Sequence, residues 1–371
     1  MSALNSSAGD AYVVRWFEDG DVSDFLALDR AVFQRERDER WFEWKYEDNP
    51  YVDHVPILVV ENEDDIVGAR PFIAFRLRAG AETVLALQPA DTMVHPEHRR
   101  RGLFTRMTER AIDHYANREP AFFFNFPNQR SRPGYLKLGW QIVGDRVTYY
   151  RIQNPAAFFG GDGRIPSRLA ELAVQLTGDV REFRRTPADA AGEFSVDRYP
   201  GTRASILAEL YETRPPDGFH ALRDETFYRW RFASPAWSRA TYVASQGGQP
   251  VAGIVVRNRT TAEGVSVTQL ADVVPLAETE RRTRALARLV ERIVADHASS
   301  DILAVAEGGV PRRLLTEFGF VGDATPPLSW MSDFDCRLVA LPLGGTGWTV
   351  GGERLSHRSN WHVSFAERDT A

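Results

Sequence analysis

"DTMVHPEHRRRGLFTRM", residues 91–107, joins an apolar β-type run to a clean helical pattern through three arginines and a glycine. A patch kept for solubility accounts for the arginines but not for a glycine at the mouth of the helix. An anion-holding turn accounts for both. The first N–H groups of a helix have no intrahelical partner and sit at the positive end of its dipole, so they attract an anion. Glycine at position 102 lets the backbone approach phosphate oxygens with no Cβ in the way. Arg99, Arg100 and Arg101 can clamp the same oxygens with planar, paired hydrogen bonds.

Working outward, the chain has 371 residues, and at roughly 100–200 residues per domain this predicts two domains. It is 43% hydrophobic and 26% charged, which suits a globular protein with full cores and excludes wholesale disorder. The net charge of −6 gives no bulk electrostatic footprint for nucleic acid. Lysine occurs only at Lys45 and Lys137, the rest of the basic charge being arginine. The single cysteine, Cys336, excludes an internal disulfide and any Cys-based zinc site, and no metal is expected. "MSALNSSAGDAYVVRW" lacks the pattern of a secretory signal, and no apolar run approaches the ~18 residues that span a bilayer. A cytoplasmic protein with no membrane contact is the expectation. The composition is compatible with a homo-oligomer.

The sequence is written twice. "RWFEWKYEDNP" (40–50) is echoed by "TFYRWRFASP" (226–235), "DIVGA" (65–69) by "QPVAGI" (249–254), the 89–113 stretch by 270–294, and "LGWQIVGD" (138–145) by "FGFVGD" (318–323). Trp44 and Trp230 lie 186 positions apart, Gly68 and Gly253 185, Asp91 and Asp272 181, and Gly139 and Gly319 180. Four anchors in one order with so little drift indicate tandem duplication of a domain, since the unit is too long for a repeat array.

In the first copy, 25–46 reads as helices with a turn between them, and "PILVVEN", "DIVGARPFIAFRLRA" and "TVLALQPADTMV" as β-rich runs. Phe104, Met107, Ala111 and Tyr115 recur at helical spacing. "AFFFNF" is a buried strand, "GYLKLGW" a short helix stopped by Gly139, and "QIVGDRVTYYRI" a return to strand. A connector follows, with a helix at "RLAELAVQL", and the tail carries one more strand at "NWHVSF". The expected fold is therefore α/β (α+β). It comprises two tandem domains at 10–150 and 197–335, each a mixed, mostly antiparallel twisted sheet flanked by helices, with a connector at 151–196 and an extension at 336–371.

"VHPEHRRRGLF" resembles the pyrophosphate loop of the Gcn5-related N-acetyltransferase superfamily, V-x-P-x-x-(Q/R)-x-x-G-x-(G/A), through Val94, Pro96, Arg99 and Gly102. Phe104 departs from the usual small residue. The enhanced-intracellular-survival type of this superfamily, which also stands two such domains in tandem, carries "HRRRGL" too. "NQRSRPGYLKLGW" (128–140) is similar to the second family signature, N-x-x-A-x-x-x-Y-x-K-x-G-F, through Asn128, Tyr135, Lys137 and Gly139. Ser131 and Trp140 replace its alanine and phenylalanine, and Pro133 and Gly134 delay the helix.

The resemblance implies transfer of an acyl group, acetyl in the first instance, from acetyl-CoA to an amine of a small molecule, amino sugar or peptide. It implies that main chain at Met93 and Val94 meets the thioester carbonyl. The turn from Arg99 through Arg100, Arg101, Gly102 and Leu103 to Phe104 takes the pyrophosphate, and Asn128 steadies the pantetheine arm. Tyr135 matches the residue that protonates the departing thiolate. Asp91 is the candidate base, with a water chain as the family's alternative, and in the enhanced-intracellular-survival type the terminal carboxylate reaches the site.

The second copy aligns Glu280 with Arg99, Thr283 with Gly102 and Leu315 with Tyr135, all hostile to that chemistry, so one active site per chain is expected. Two other functions compete. A non-catalytic acyl-CoA sensor would be indifferent to Tyr135, and a tRNA-dependent aminoacyl transferase of the peptidoglycan-bridge type would lack an intact pyrophosphate loop.

Overall fold

The computed structural model describes residues 12–159, 193–326, 328–330 and 336–369. The expected connector helix at 168–176 and the terminal residue Ala371 lie outside them. Two mixed sheets carry the chain. The first is ordered β1-β2-β3-β4-β6-β16-β7, from Tyr12–Trp16, Ile57–Asn62, Asp65–Ala79, Glu82–Pro89, Phe122–Asn125, Arg337–Pro342 and Gln141–Asp145. The short strands β5 (Met93–Val94) and β10 (His220–Ala221) both pair with β3. The second is ordered β15-β8-β14-β13-β12-β11-β9, from Val321–Gly322, Thr148–Ile152, Ile302–Ala306, Ser266–Val274, Gln249–Thr260, Ser238–Gln246 and Ser195–Pro200. These are two copies of one plan, mixed α/β with a separate sheet in each.

Sequence pattern explains the elements that frame the first sheet. β3 is covered on both faces, so its fifteen residues read as an almost unbroken buried run. Helix α1 (Val22–Phe33) and the short α2 (Glu39–Phe42, continued as one wide turn through Glu47) bury Phe25, Leu28, Trp41, Phe42, Trp44 and Tyr46. Asp38 starts α2 by accepting from the Trp41 amide at 3.0 Å. Helix α3 (Leu103–Tyr115) buries Leu103, Met107, Ala111 and Tyr115, one side chain per turn against the sheet. Helix α4 (Arg132–Lys137) ends before Gly139, whose φ of +87° takes the left-handed conformation that glycine adopts without strain.

The division at residue 150 and the single run "QIVGDRVTYYRI" need correction. β7 stays in the first sheet, but β8 enters the second, between β14 and β15. In return β16, from beyond the second copy, enters the first sheet between β6 and β7. Each copy thus completes the other's sheet. The local cause is the pair Arg146-Val147 between β7 and β8. A two-residue hairpin needs positive φ, which Asn and Gly supply and a β-branched residue resists, so the chain runs straight on into the neighbouring sheet.

The copies are clasped near a local two-fold. Trp44 Nε1 donates to the Trp230 carbonyl at 2.8 Å, and Trp230 Nε1 donates to the Trp44 carbonyl at 3.0 Å. The repeated tryptophans are the joint between repeats. One apolar core runs through this joint, taking in Phe75, Phe124, Tyr211, Phe227 and Trp361.

The tail is not the strand expected at "NWHVSF". Trp361 makes one bridge, to Phe219, and the chain then threads irregularly between the copies. Its polar groups are satisfied by side chains instead of a ladder, as where Glu367 Oε2 accepts from the Ser364 amide at 2.8 Å. No helix among the described residues is long and apolar enough to cross a membrane.

Candidate active site

β4 and β6 run parallel and pair only at Ala86–Phe122 and Leu87–Phe123. Beyond that point β4 breaks at Ala90–Thr92, where Asp91 takes a φ of +38°. The strand resumes as β5, which pairs with β3 alone and so keeps one edge without a strand partner. The strands therefore diverge here and leave a gap beside Ala90–Thr92, just ahead of Met93 and Val94. That gap is a cavity of about 310 Å³ whose lining includes Asp91, Thr92, Phe104, Asn125, Tyr135 and Asp369.

The arginine turn closes one end. Gly102 takes a φ of +75° and no side chain caps the start of α3, so the first helical amides are uncommitted to a cap. A Cβ at Gly102 would meet nothing within 4 Å, so the demand for glycine here is the left-handed backbone more than close approach. Arg99, Arg100 and Arg101 are exposed; Arg99 Nε donates to the Val94 carbonyl at 3.1 Å, and Arg101 lies over the Tyr12 ring. On the same turn His95, Glu97 and His98 bring ligand atoms within 4.8 Å of one another, a metal-type grouping that the sequence reading did not count on.

The matching helix of the second copy, Glu280–Asp296, begins differently. Thr279 caps it, accepting from the Arg282 amide at 3.1 Å, and Glu280 places a carboxylate in its first turn. Arg282 is buried and ties down the loop, its Nε donating to the Pro275 carbonyl and its Nη2 to that of Gly309.

Tyr135 is buried, and its hydroxyl accepts from Asn125 Nδ2 at 2.8 Å. Its ring meets Phe104 edge-on at 5.4 Å and Trp140 at 4.9 Å. Two departures from the family pattern compensate each other here. A Cβ on residue 134 would stand 2.8 Å from Phe104 Cε1, so Gly134 makes room for the large residue at 104. Gly134→Ala is expected to cost about 1–3 kcal/mol by overpacking, and adding Phe104→Leu to recover most of it, as read by denaturant unfolding of the single and double variants.

Asn128 lines the gap, but its Oδ1 accepts from the Arg130 amide at 3.0 Å and the Ser131 amide at 2.9 Å. Its oxygen builds the turn into α4.

Asp91 must be corrected as a base. One oxygen lies 2.5 Å from Lys45 Nζ and 2.9 Å from the Tyr46 hydroxyl; the other lies 2.5 Å from Arg35 and 3.0 Å from Arg37. Burial opposes its charge, but these three cations hold its pKa far below the usual carboxylate range, which removes its power to accept a proton. The second copy repeats the arrangement with Arg223 and Asp272, 186 and 181 positions after Arg37 and Asp91. Lacking the anion turn, that copy marks the pair as scaffold.

The structure adds two residues that sequence reasoning missed. Arg70, in mid-β3, is 0% exposed and has no carboxylate partner among the described residues. Its guanidinium lies over the rings of Phe104 and Tyr135, Nη1 is 3.4 Å from Thr92 Oγ1, and Nε and Nη2 have no partner. Burial pushes its pKa down. An arginine inside the apolar run at 66–75 was the available signal. Asp369, from the tail, reaches the gap with one oxygen 2.7 Å from Lys45 Nζ. Nothing local in the sequence points to it.

Residues 13–143 match the family model described as acetyltransferase (GNAT) domain. The chain carries a GNAT acetyltransferase domain. That domain is of the N-acetyltransferase (GNAT) type, a superfamily that uses acyl-CoA. No curated protein matches the chain. A GCN5-related N-acetyltransferase from Anabaena variabilis is similar in fold at 12% identity, covering 89% of this chain and 72% of its own, with a TM-score of 0.59. A probable N-acyltransferase from Enterococcus faecalis aligns at 10% identity over 90% of this chain and 73% of its own, with a TM-score of 0.60. Saccharomyces cerevisiae N-myristoyltransferase, solved with bound myristoyl-CoA, aligns at 13% identity over 96% and 85%, with a TM-score of 0.57. At such identities these likenesses concern the fold, and they extend over both copies.

Proposed function

We propose that the protein transfers an acetyl group from acetyl-CoA to a primary amine at one site, the gap beside β5. The observation that carries this is the contrast between the two helix starts: uncapped behind Gly102, capped and acid-bearing behind Thr279. The diphosphate lies on the amides from Arg99 to Phe104 with the neighbouring guanidinium groups around it, and the thioester carbonyl turns toward the open edge at Met93 and Val94. Asn128 meets the pantetheine arm through its amide nitrogen.

The amine nitrogen bonds to the carbonyl carbon, and the tetrahedral centre collapses with cleavage of the C–S bond. Tyr135 gives its hydroxyl proton to the leaving sulfur, and the proton that the acylated nitrogen then sheds restores the tyrosine. Arg70, buried beneath the Tyr135 ring without a counter-ion, stabilises the negative charge that passes from sulfur to tyrosine. Asp369 takes the place of Asp91 as the carboxylate that receives the incoming ammonium, whose proton leaves to solvent.

Calorimetry with acetyl-CoA is expected to give one binding site per chain. Gly102→Val should weaken binding about tenfold or more, because a β-branched residue resists the left-handed turn. Two sites per chain, or unaltered affinity in the variant, would overturn this assignment.

A further inference from the structure

A second, larger cavity of about 1000 Å³ lies between the copies, with Arg35, Arg37 and Arg40 on one wall and Pro235, Ala236 and Arg259 on the other. It adjoins the acetyl-transfer gap. Arg35 Nη2 is 2.5 Å from Asp91, which lines that gap, and its guanidinium lies 4.2 Å from the ring centroid of Phe33, another lining residue.

Arg259 differs from Arg30, Arg35 and Arg37 in this lining. Arg35 and Arg37 are held by Asp29 and Asp91, and Arg30 by Glu36. Arg259 is half-buried, rests 4.4 Å from the Trp237 ring centroid, and has a buried Nε with no partner. Among the described residues no carboxylate pairs with it: Glu36 is on Arg30, Asp38 accepts from the Trp41 amide, and Glu39 sits in the first turn of α2. Burial, then the facing guanidinium groups of Arg37 and Arg35, push its pKa down. A partly desolvated cation without a counter-ion is costly to keep unless something anionic completes it.

We infer that this cavity seats the acid group of the acceptor, so that the acceptor is an amine carrying a carboxylate or phosphate held by Arg259. This rests on the acetyl-transfer reading above. The planar fork of Arg259, stacked on Trp237, presents two parallel N–H donors to such a group. The amine then reaches past the Arg35–Asp91 pair to Asp369, so the site takes a molecule with opposite charges at its two ends. Acceptors that are purely cationic meet five arginines in a lining that holds three carboxylates, Glu36, Asp38 and Glu39.

The test is thiol release from acetyl-CoA by the full chain with four amines of matched length: δ-aminovalerate, its amide, the corresponding aminophosphonate, and cadaverine. One of the two acids is expected to exceed the amide in kcat/KM by about 10- to 100-fold, and which acid does so names the anion. Arg259→Gln should abolish most of that ratio by raising KM for the acid, and Arg259→Lys should restore it only in part. Equal turnover of acid and amide, a preference for cadaverine, or an unchanged ratio in Arg259→Gln would sink the inference while leaving acetyl transfer standing.

If no amine releases thiol, it is the acetyl-transfer reading that fails. Calorimetry with glutarate and inorganic phosphate then decides the anion seat by itself. Binding to the wild-type chain that weakens about tenfold in Arg259→Gln supports it, and no binding or equal affinity overturns it.

Discussion

Tyr135→Phe is expected to lower kcat by about 10²- to 10⁴-fold while leaving the Kd for acetyl-CoA within about twofold, the range in which a positioned general acid contributes to rate and not to ground-state binding. The hydroxyl is buried against the gap with Asn125 and Arg70 as partners, so its removal takes away a proton donor without touching the diphosphate turn. Leaving Asn125 Nδ2 unpaired costs about 1 kcal/mol, too little to unfold the chain, so denaturant unfolding separates a chemical from a structural loss. Thiol-release kinetics on any amine that turns over gives the answer. Unchanged kcat would return Tyr135 to the status of a core aromatic.

Asp91→Asn is expected to destabilise the fold by about 3–5 kcal/mol, because it removes the one carboxylate shared by Lys45, Arg35 and Arg37 and leaves three buried or half-buried cations on two carboxylates, Asp29 and Asp369. Lys45 is 1% exposed in its side chain and Arg37 7%, so water cannot take the carboxylate's place. The same pair predicts the acid limb of stability. A carboxylate whose pKa is depressed by folding contributes stability that is fully present above its unfolded value near 3.9 and is lost as pH falls further. The wild-type chain should therefore lose stability steeply below about pH 4, and Asp91→Asn should show a shallower slope there. A loss under about 1 kcal/mol, measured by denaturant unfolding at neutral pH, would mean that the cations find another partner.

The second copy is informative because it keeps Arg223 and Asp272 without the anion turn. The repeat aligns the two aspartates, and the sequence marks Asp91 as a candidate base. Only burial and the identity of their neighbours separate a proton acceptor from a structural anchor, and both are properties of the assembled core. The Gly134–Phe104 pair makes the same point in reverse. Each departs from the family pattern, and the reason becomes visible once α3 and α4 are packed side by side.

What the amino-acid order determined by itself were the features written in short-range pattern: the duplication, the amphipathic α3, the need for glycine at position 102 in the arginine turn, and the loss of that turn in the second copy. These depend on residues within a few positions of one another, where backbone sterics and helical periodicity act directly. The exchange of β8 and β16, the cage around Asp91, the uncompensated Arg70 and Arg259, and the arrival of Asp369 were decided by tertiary structure alone. Lys45 and Asp369 meet across 324 positions, and Trp44 and Trp230 across 186. Such contacts arise from packing two sheets on one core, which no local pattern encodes, and the electrostatics of the site follow from that packing because charge energies depend on who is buried beside whom.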